Sequence, residues 1–139
     1  MNYNIKVSCS KERLKSIREF VKDTLSDYAI DEMEISQLVL AVDEICANMI
    51  IHSHGCDETQ TIEIKIDVEP NQGIVFQVID KGVSFNFSTY QEPSLEKIIE
   101  TKKKGGIGLM LVKRIMDDVQ FSSTDGFNVC RMFKKLQKN

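Results

Sequence analysis

The chain has 139 residues, of which 42% are hydrophobic and 28% charged, and this composition is typical of a globular domain rather than a disordered segment. We therefore predict one domain spanning residues 1–139. The formal net charge of −3 argues against a general nucleic-acid-binding face and against a polybasic membrane anchor, so we expect neither direct nucleic-acid binding nor membrane binding.

The cysteine spacing and the N-terminal residues bear on the cellular compartment in which the protein is expected. Cys9, Cys46, Cys56 and Cys130 are scattered without a C-x-x-C pair, which does not favour a zinc or redox site. Cys46 falls on the apolar side of a predicted helix, so we expect it to behave as a small buried hydrophobe. No apolar run reaches the ~18 residues of a spanning helix, and the segment MNYNIKVS has no signal-peptide core. We expect a reduced, cytoplasmic protein.

The first part of the chain predicts one strand followed by two helices. Tyr3–Ser8 alternates in polarity as a short strand does. Ser10 is a typical N-cap residue, and apolar residues then repeat at helical spacing to about Tyr28. A second helix begins in the acidic segment 31–34 and is expected to end near Gly55, which tolerates the left-handed conformation of a helix terminus.

The second part predicts two hairpins separated by a loop and a helix. The first hairpin joins two strands through turn residues at 69–72, and the second turns at Asp125-Gly126, a strong hairpin dipeptide. The intervening span is polar, and only residues 94–100 suit a short helix. The predicted elements are strands at Thr61–Val68 and Gly73–Asp80, a helix at Leu109–Val119, and strands at Val119–Ser123 and Asn128–Leu136. Because the first of these hairpins ends in a less strictly alternating strand, we expect that strand to be more central in the sheet.

The order of these elements is β-α-α-β-β-loop-α-β-β. Such an order predicts an α/β (α+β) domain built as a two-layer sandwich. The helices would cover one face of a mixed, mostly antiparallel sheet.

A polar line accompanies the apolar face of the second helix. Glu44, Asn48 and His52 are spaced four residues apart, which stacks their side chains with Cβ atoms roughly 5–6 Å apart per step. Taken alone, Glu44 and Asn48 could simply be polar groups on a solvated helix edge, and isolated E-x-x-x-N strings are common. His52 and His54 lack cysteine or carboxylate partners at metal-ligand spacing, so we assign His52 no chemistry.

A glycine-rich segment directly precedes the third predicted helix. Gly105-Gly106-x-Gly108 could receive a phosphate on its backbone N–H groups, or could be only a flexible loop before a helix. It lacks the G-x-x-x-x-G-K-[ST] string of a P-loop. It also lacks the third glycine of a Rossmann fingerprint and follows a lysine run rather than a strand.

Asp80 ends a hydrophobic strand and is followed by Lys81-Gly82. The simplest interpretation is a turn. A half-buried carboxylate in this position could also accept hydrogen bonds from the amino group of a base such as adenine, with Gly82 allowing the backbone to approach the ring.

The combination of these features is specific. Three motifs follow one another in the chain: E-x-x-x-N-x-x-x-H on a helix, D-x-G after a strand and, beyond a polar loop, GGxGL at the start of a helix. In this order they resemble the N box and the two glycine boxes of the histidine-kinase-like ATPase superfamily, whose ATP-binding domain is the Bergerat fold. Within that superfamily, the boxes most resemble those of the bacterial anti-sigma-factor serine/threonine-protein kinases. The segments that carry this resemblance are AVDEICANMIIHSH, VIDKGVSFN and GGIGLMLVKRIMDDV.

The resemblance implies a role for each residue of the boxes. Asn48 would bind Mg²⁺, and Glu44 would be the catalytic general base near the γ-phosphate of ATP. Asp80 would hydrogen-bond the adenine amino group with Gly82 beside the ring, and residues 86–104 would form the lid. The full implied ATP-binding set is Asn48, Asp80, Gly82, Lys104, Gly105, Gly106, Ile107, Gly108 and Leu109.

Two positions depart from the superfamily pattern. Ser84 stands where many members have a second glycine in the first glycine box, which puts lid flexibility in question. The late strand carries Asn128-Val129-Cys130-Arg131-Met132, without the threonine that often lies near the adenine-binding aspartate. Base affinity or specificity could be weaker for that reason.

The resemblance implies a partner-switching regulator. Such a protein sequesters a sigma factor and, with ATP and Mg²⁺, phosphorylates a serine or threonine of a small anti-sigma antagonist; it also implies a homodimer. The departures motivate an alternative, a non-catalytic binding module that uses ATP for shape or not at all. An ATPase subunit of a larger machine ranks lower, because such machines need further domains.

Overall fold

A computed structural model describes residues 1–53, 60–81, 106–124 and 126–136. Within these ranges a 3₁₀ turn at Lys11–Arg13 precedes the first helix. The strands and helices are β1 (Asn2–Ser8), α1 (Leu14–Ser26), α2 (Glu32–Ser53), β2 (Thr61–Glu69), β3 (Gly73–Lys81), α3 (Gly106–Ile115), β4 (Asp118–Thr124) and β5 (Phe127–Lys135). The predicted lid at 86–104, and the short helix at 94–100 within it, lie outside the described residues.

The described strands form one five-stranded sheet in the order β1-β2-β3-β5-β4. Each pairing among them is antiparallel, so the sheet is more regular than the mixed one that we expected. β3 lies between β2 and β5, which confirms that the second strand of the first hairpin is central. The two-layer α+β sandwich is therefore confirmed.

Both hairpins turn where the sequence predicts. Asn71 adopts a φ of 67° in the turn between β2 and β3, a conformation that asparagine tolerates better than most residues. Gly126 adopts a φ of 81° between β4 and β5, which its missing side chain permits at no steric cost.

The core lies between one face of the sheet and the three helices. β2 alternates strictly, and its inward residues Ile62, Ile64, Ile66 and Val68 are buried. α2 packs between α1 and α3 and against β3. Burial of this many branched aliphatic side chains is the main stabilising contribution, at roughly 1.5–3 kcal/mol for each fully buried side chain.

The first and third helices differ from their predicted boundaries. Ser10 does act as a cap, because the backbone N–H of Glu12 donates to its Oγ at 3.2 Å, but it caps the 3₁₀ turn and α1 begins only at Leu14. The third helix begins within the glycine box rather than at Leu109, and it ends at Ile115 rather than at Val119.

The early end of α3 has a tertiary cause. The Lys134 ammonium donates to the Ile115 carbonyl at 3.0 Å, and the Asp117 N–H donates to the Phe133 carbonyl at 2.8 Å. These hydrogen bonds join the end of α3 to β5. The chain then continues as a strand, so Val119 is a residue of β4. Helical periodicity at 109–119 could not reveal a partner strand that far away in sequence.

The described cysteines behave as packing residues. Cys9, Cys46 and Cys130 are free and buried, which confirms the prediction for Cys46. Burial raises the pKa of the Cys46 and Cys130 thiols, so both remain protonated and unreactive. In the described part of the chain, no helix is long and apolar enough to cross a bilayer.

Candidate functional site

Glu44 and Asn48 lie one turn apart on α2, as the sequence predicts. Asn48 is 9% exposed, and its Nδ2 donates to the main-chain carbonyl of Glu44 at 3.0 Å. With Nδ2 engaged by the helix itself, Oδ1 is the side-chain atom that remains to bind a ligand. His52 lies in the same helix, but its side chain is outside the described residues.

The Glu44 side chain contacts the glycine box at Gly108. A methyl group added at Gly108 would overlap the Glu44 carboxylate and would lie only 2.8 Å from its Cδ and 3.4 Å from its Cγ. The missing side chain of Gly108 therefore lets α2 and the first turn of α3 approach this closely. Two motifs that are 64 positions apart in the sequence meet at this point.

The environment of Glu44 makes it a stronger base than an exposed glutamate. Partial burial raises the pKa of its carboxyl group, and the neighbouring Asp43 raises it further by charge repulsion. Asp43 is itself paired with Arg18 of α1, whose Nη1 donates to Asp43 Oδ1 at 3.0 Å. A carboxylate of raised pKa is suited to accept a proton near neutral pH.

A second polar group lies across one end of the sheet. Asp80 of β3 and Asn128 of β5 are directly opposite each other, and each is only 2% exposed. Ser123 of β4 is the next partner in this row, and its Oγ donates to Asn128 Oδ1 at 2.9 Å. We call Asp80, Asn128 and Ser123 the polar row.

Chain order relates the polar row to the helix that carries Glu44 and Asn48. β2 begins eight positions after the end of α2, and Ile62 near its start pairs with Asp80. The C-terminal half of α2, which carries Glu44 and Asn48, is thus followed in the chain by the strand that pairs with Asp80.

The structure covers part of the predicted ATP-binding set. Gly106 and Ile107 open α3, and Leu109 is a buried core residue, so its contribution to a ligand would come from its backbone. Gly82, Lys104 and Gly105 lie outside the described residues, and their roles stay predictions.

The sequence analysis noted Asn128 only as part of a strand that lacks the threonine typical of the superfamily. The signal it overlooked is a polar residue at an inward position of an alternating strand, followed by Cys130 and Met132 on the same face.

A family model described as histidine kinase-like ATPase domain matches residues 7–134. The chain belongs to this family. Membership confirms the resemblance read from the three boxes, and an ATPase domain implies ATP binding.

The chain is also similar to curated proteins named serine-protein kinase RsbW. It is 31% identical to the one from Bacillus mycoides over 115 residues, which is 80% of this chain and 69% of that protein. It is 29% identical to the one from Bacillus thuringiensis over the same shares.

Solved structures support the fold. The RsbU and RsbW domains of a Mycobacterium tuberculosis protein match with a TM-score of 0.72 at 14% identity, covering all of this chain and 33% of that one. The SiaB-SiaC complex from Pseudomonas aeruginosa matches with a TM-score of 0.63 at 11% identity, covering 96% of this chain and 89% of that one. At these identities the likeness shows the shared α+β fold and nothing finer.

The described residues fit Mg²⁺ and a nucleotide phosphate chain. The Glu44 carboxylate and the Asn48 amide oxygen are hard oxygen donors of the kind that Mg²⁺ prefers. The first turn of α3 has backbone N–H groups without partners inside the helix, and Gly108 adds no side chain of its own to that turn. Asn48 and the start of α3 would therefore hold the metal and the phosphates.

Proposed function

We propose that this protein is a Mg-ATP-dependent serine/threonine kinase of the anti-sigma-factor type. The observation that carries the proposal is the contact between the Glu44 carboxylate and Gly108. It places a carboxylate of raised pKa at the start of a helix that is suited to hold phosphates.

Each residue of the site has a separate task in this proposal. Bound Mg-ATP supplies the phosphoryl group and neutralises its negative charge. Glu44 accepts the proton of the attacking hydroxyl group, Asn48 holds the metal through Oδ1, and Asp80 binds the amino group of the base. This division suits phosphoryl transfer, which depends mainly on positioning and electrostatic stabilisation.

We further propose that the phosphoacceptor is a small anti-sigma antagonist protein and that the kinase sequesters a sigma factor. Support comes from the similarity to proteins named serine-protein kinase RsbW and from the three boxes. Phosphorylation adds about −1.5 to −2 charge units to the acceptor at neutral pH, enough to disrupt an interface by repulsion. The predicted homodimer and the cytoplasmic location belong to the same proposal.

Phosphate transfer from labelled ATP to the cognate antagonist tests the kinase. Glu44→Gln keeps the shape of the side chain but removes the base, so the transfer rate should fall by about 10²- to 10⁴-fold. Glu32→Gln is the matched control, because Glu32 is an exposed acid on the same helix, roughly 18 Å along its axis from Glu44. An undiminished rate in Glu44→Gln would remove Glu44 from the mechanism.

Calorimetry with ATP and Mg²⁺ separates the kinase from the alternative binding module. Binding without transfer to any antagonist would favour an ATP-dependent adaptor. If the wild-type protein binds no ATP, both the kinase and an ATP-driven switch are wrong. The genes next to this one provide a further test, because a small antagonist or a sigma factor encoded there would identify the pathway.

A further inference from the structure

Most large hydrophobic side chains of the described helices are buried or half-buried, but α2 carries two that are exposed. Met33 is 71% exposed and Leu40 is 41% exposed. They are seven positions apart, which is about two turns of an α-helix, so both lie on the same side of α2. Single exposed apolar residues are ordinary on a protein surface, whereas an aligned pair can mark an interaction site.

Met33 and Leu40 belong to a line of side chains that ends at the proposed catalytic base. Gln37 is exposed and lies between them, and Glu44 follows Leu40 by one turn. The steps of four, three and four residues keep these side chains on one side of the helix, with Cβ atoms roughly 5–6 Å apart at each step. We call Met33, Gln37, Leu40 and Glu44 the outer stripe. The opposite side of α2 is buried, so the outer stripe faces away from the core.

The outer stripe follows the neighbouring helix α3. At one end, Glu44 contacts Gly108 in the first turn of α3. At the other end, a cavity of about 350 Å³ is lined by Met33 and Gln37 and also by Asp117, which comes just after α3. The two helices are therefore antiparallel, and the stripe extends from the candidate site along the length of α3.

α3 adds a further apolar side chain at the level of Leu40. Leu111 lies one turn beyond Gly108 and is half-buried. Leu40 lies one turn before Glu44, so in an antiparallel pair the two leucines fall at the same level, about one turn from the contact between Glu44 and Gly108. An apolar surface thus adjoins the carboxylate that would accept the proton.

The size of a protein interface indicates what would cover this surface. A protein bound through a standard interface covers about 800 Å² of its partner, which corresponds to a disc of roughly 16 Å radius. If the reacting hydroxyl group lies at Glu44, Leu40 is only about 6 Å away and falls well inside such a disc. Met33 is about 16.5 Å from Glu44 along the helix axis and falls at the rim. A small-molecule acceptor would leave Met33 exposed.

We propose that the outer stripe is the docking surface for the phosphoacceptor protein, which presents an apolar side chain to Leu40 while its serine or threonine hydroxyl reaches Glu44. This inference rests on the proposed function, because it takes Glu44 as the base and a protein as the acceptor. It adds a requirement on that partner, an apolar residue close to the phosphorylated hydroxyl. Such a contact gives the interface the apolar centre and polar rim that are usual for protein complexes.

Steady-state kinetics of phosphate transfer from labelled ATP to the antagonist protein test this surface. Leu40→Gln and Leu40→Met are a matched pair, because all three side chains are similar in size and are good helix formers. Leu40→Gln should raise the KM for the antagonist by about 10-fold, since the apolar burial of leucine is lost. The KM for ATP should stay at the wild-type value, and Leu40→Met should leave both KM values unchanged.

Met33→Gln provides a second variant, at the rim of the surface. It should raise the KM for the antagonist by about 2- to 3-fold, because rim contacts contribute less to binding than central ones. Lys65→Gln is the control away from the helices. Lys65 is exposed on β2 between the inward residues Ile64 and Ile66, so it lies on the opposite face of the sheet. This control should leave both KM values unchanged.

The outcomes distinguish this inference from the proposed function. No phosphate transfer by the wild-type protein would overturn the kinase itself, and the docking surface with it. Transfer by the wild type with an unchanged KM for the antagonist in Leu40→Gln would overturn the docking surface and leave the kinase intact. An equal loss in Leu40→Met, or an equal rise in the KM for ATP, would also contradict the proposal. If Leu40→Gln does not fold, Met33→Gln decides, and an unchanged KM for the antagonist in that variant overturns the docking surface.

Discussion

Two neighbouring rows of side chains cross the inner face of the sheet, and they differ completely in chemistry. One row, which we call the apolar row, consists of Ile64, Val78, Cys130 and Phe121 on four adjacent strands. The polar row of Asp80, Asn128 and Ser123 lies two residues further along the same strands. Asp80 and Asn128 are as inaccessible to solvent as the core, so burial alone does not separate the two rows.

Under the proposed function, the two rows have different tasks along the sheet. The apolar row excludes water and stabilises the domain in proportion to the area that it buries. In the polar row, Asp80 and Asn128 hold polar groups at the same depth, where water competes less for their hydrogen bonds. Substitutions should therefore affect stability in one row and ligand binding in the other.

The largest effect on stability is expected in the apolar row. Ile64 is a fully buried member of this row, and Ile64→Ala should lower the free energy of unfolding by about 2–5 kcal/mol, because it removes apolar contacts and leaves a cavity. Urea unfolding monitored by circular dichroism measures this change. Below the unfolding transition, the affinity for Mg-ATP should stay at the wild-type value. A changed affinity would mean that the two rows are not independent.

A smaller effect is expected where the helices meet at the site. Gly108→Ala places a methyl group against the Glu44 carboxylate, which is the end of a flexible side chain and must move aside at a cost of about 0.5–1.5 kcal/mol. In a Glu44→Ala background the clash is absent, and alanine is then the better helix former by about 1 kcal/mol. A double-mutant cycle in urea measures the coupling between the two positions. Additive changes would contradict the contact between Glu44 and Gly108.

The smallest effect is expected from Glu44 itself, and it has the opposite sign. Because folding raises the pKa of Glu44, its protonated form favours the folded state, and this contribution is lost as the pH rises through the folded-state pKa. Ionised Glu44 therefore destabilises the protein at neutral pH. Glu44→Gln should raise the Tm at pH 7, and the difference from wild type should shrink as the pH falls. Scanning calorimetry from pH 7 downward measures this difference in Tm. If Glu44 instead stabilises the fold in its ionised form, Glu44→Gln should lower the Tm at pH 7.

Much of the fold could be predicted because its signals are local. The alternation of β2, the helical periodicity of α1 and α2, and the two hairpin turns are each contained in fewer than about 25 consecutive residues. The end of α3 could not be predicted, because Lys134 and Phe133 of β5 end it through hydrogen bonds across the fold. A partner that distant leaves no trace in the helical periodicity.

The candidate site likewise has features that the sequence could predict and features that it could not. The sequence by itself determined the family and the order of the boxes, since these depend on residue types at short spacings. Only the tertiary structure decided that Glu44 lies against Gly108 and that Asn128 lies between Asp80 and Ser123. The physical reason is that both arrangements join residues from different elements, and the approach of these elements is set by sheet register and helix packing.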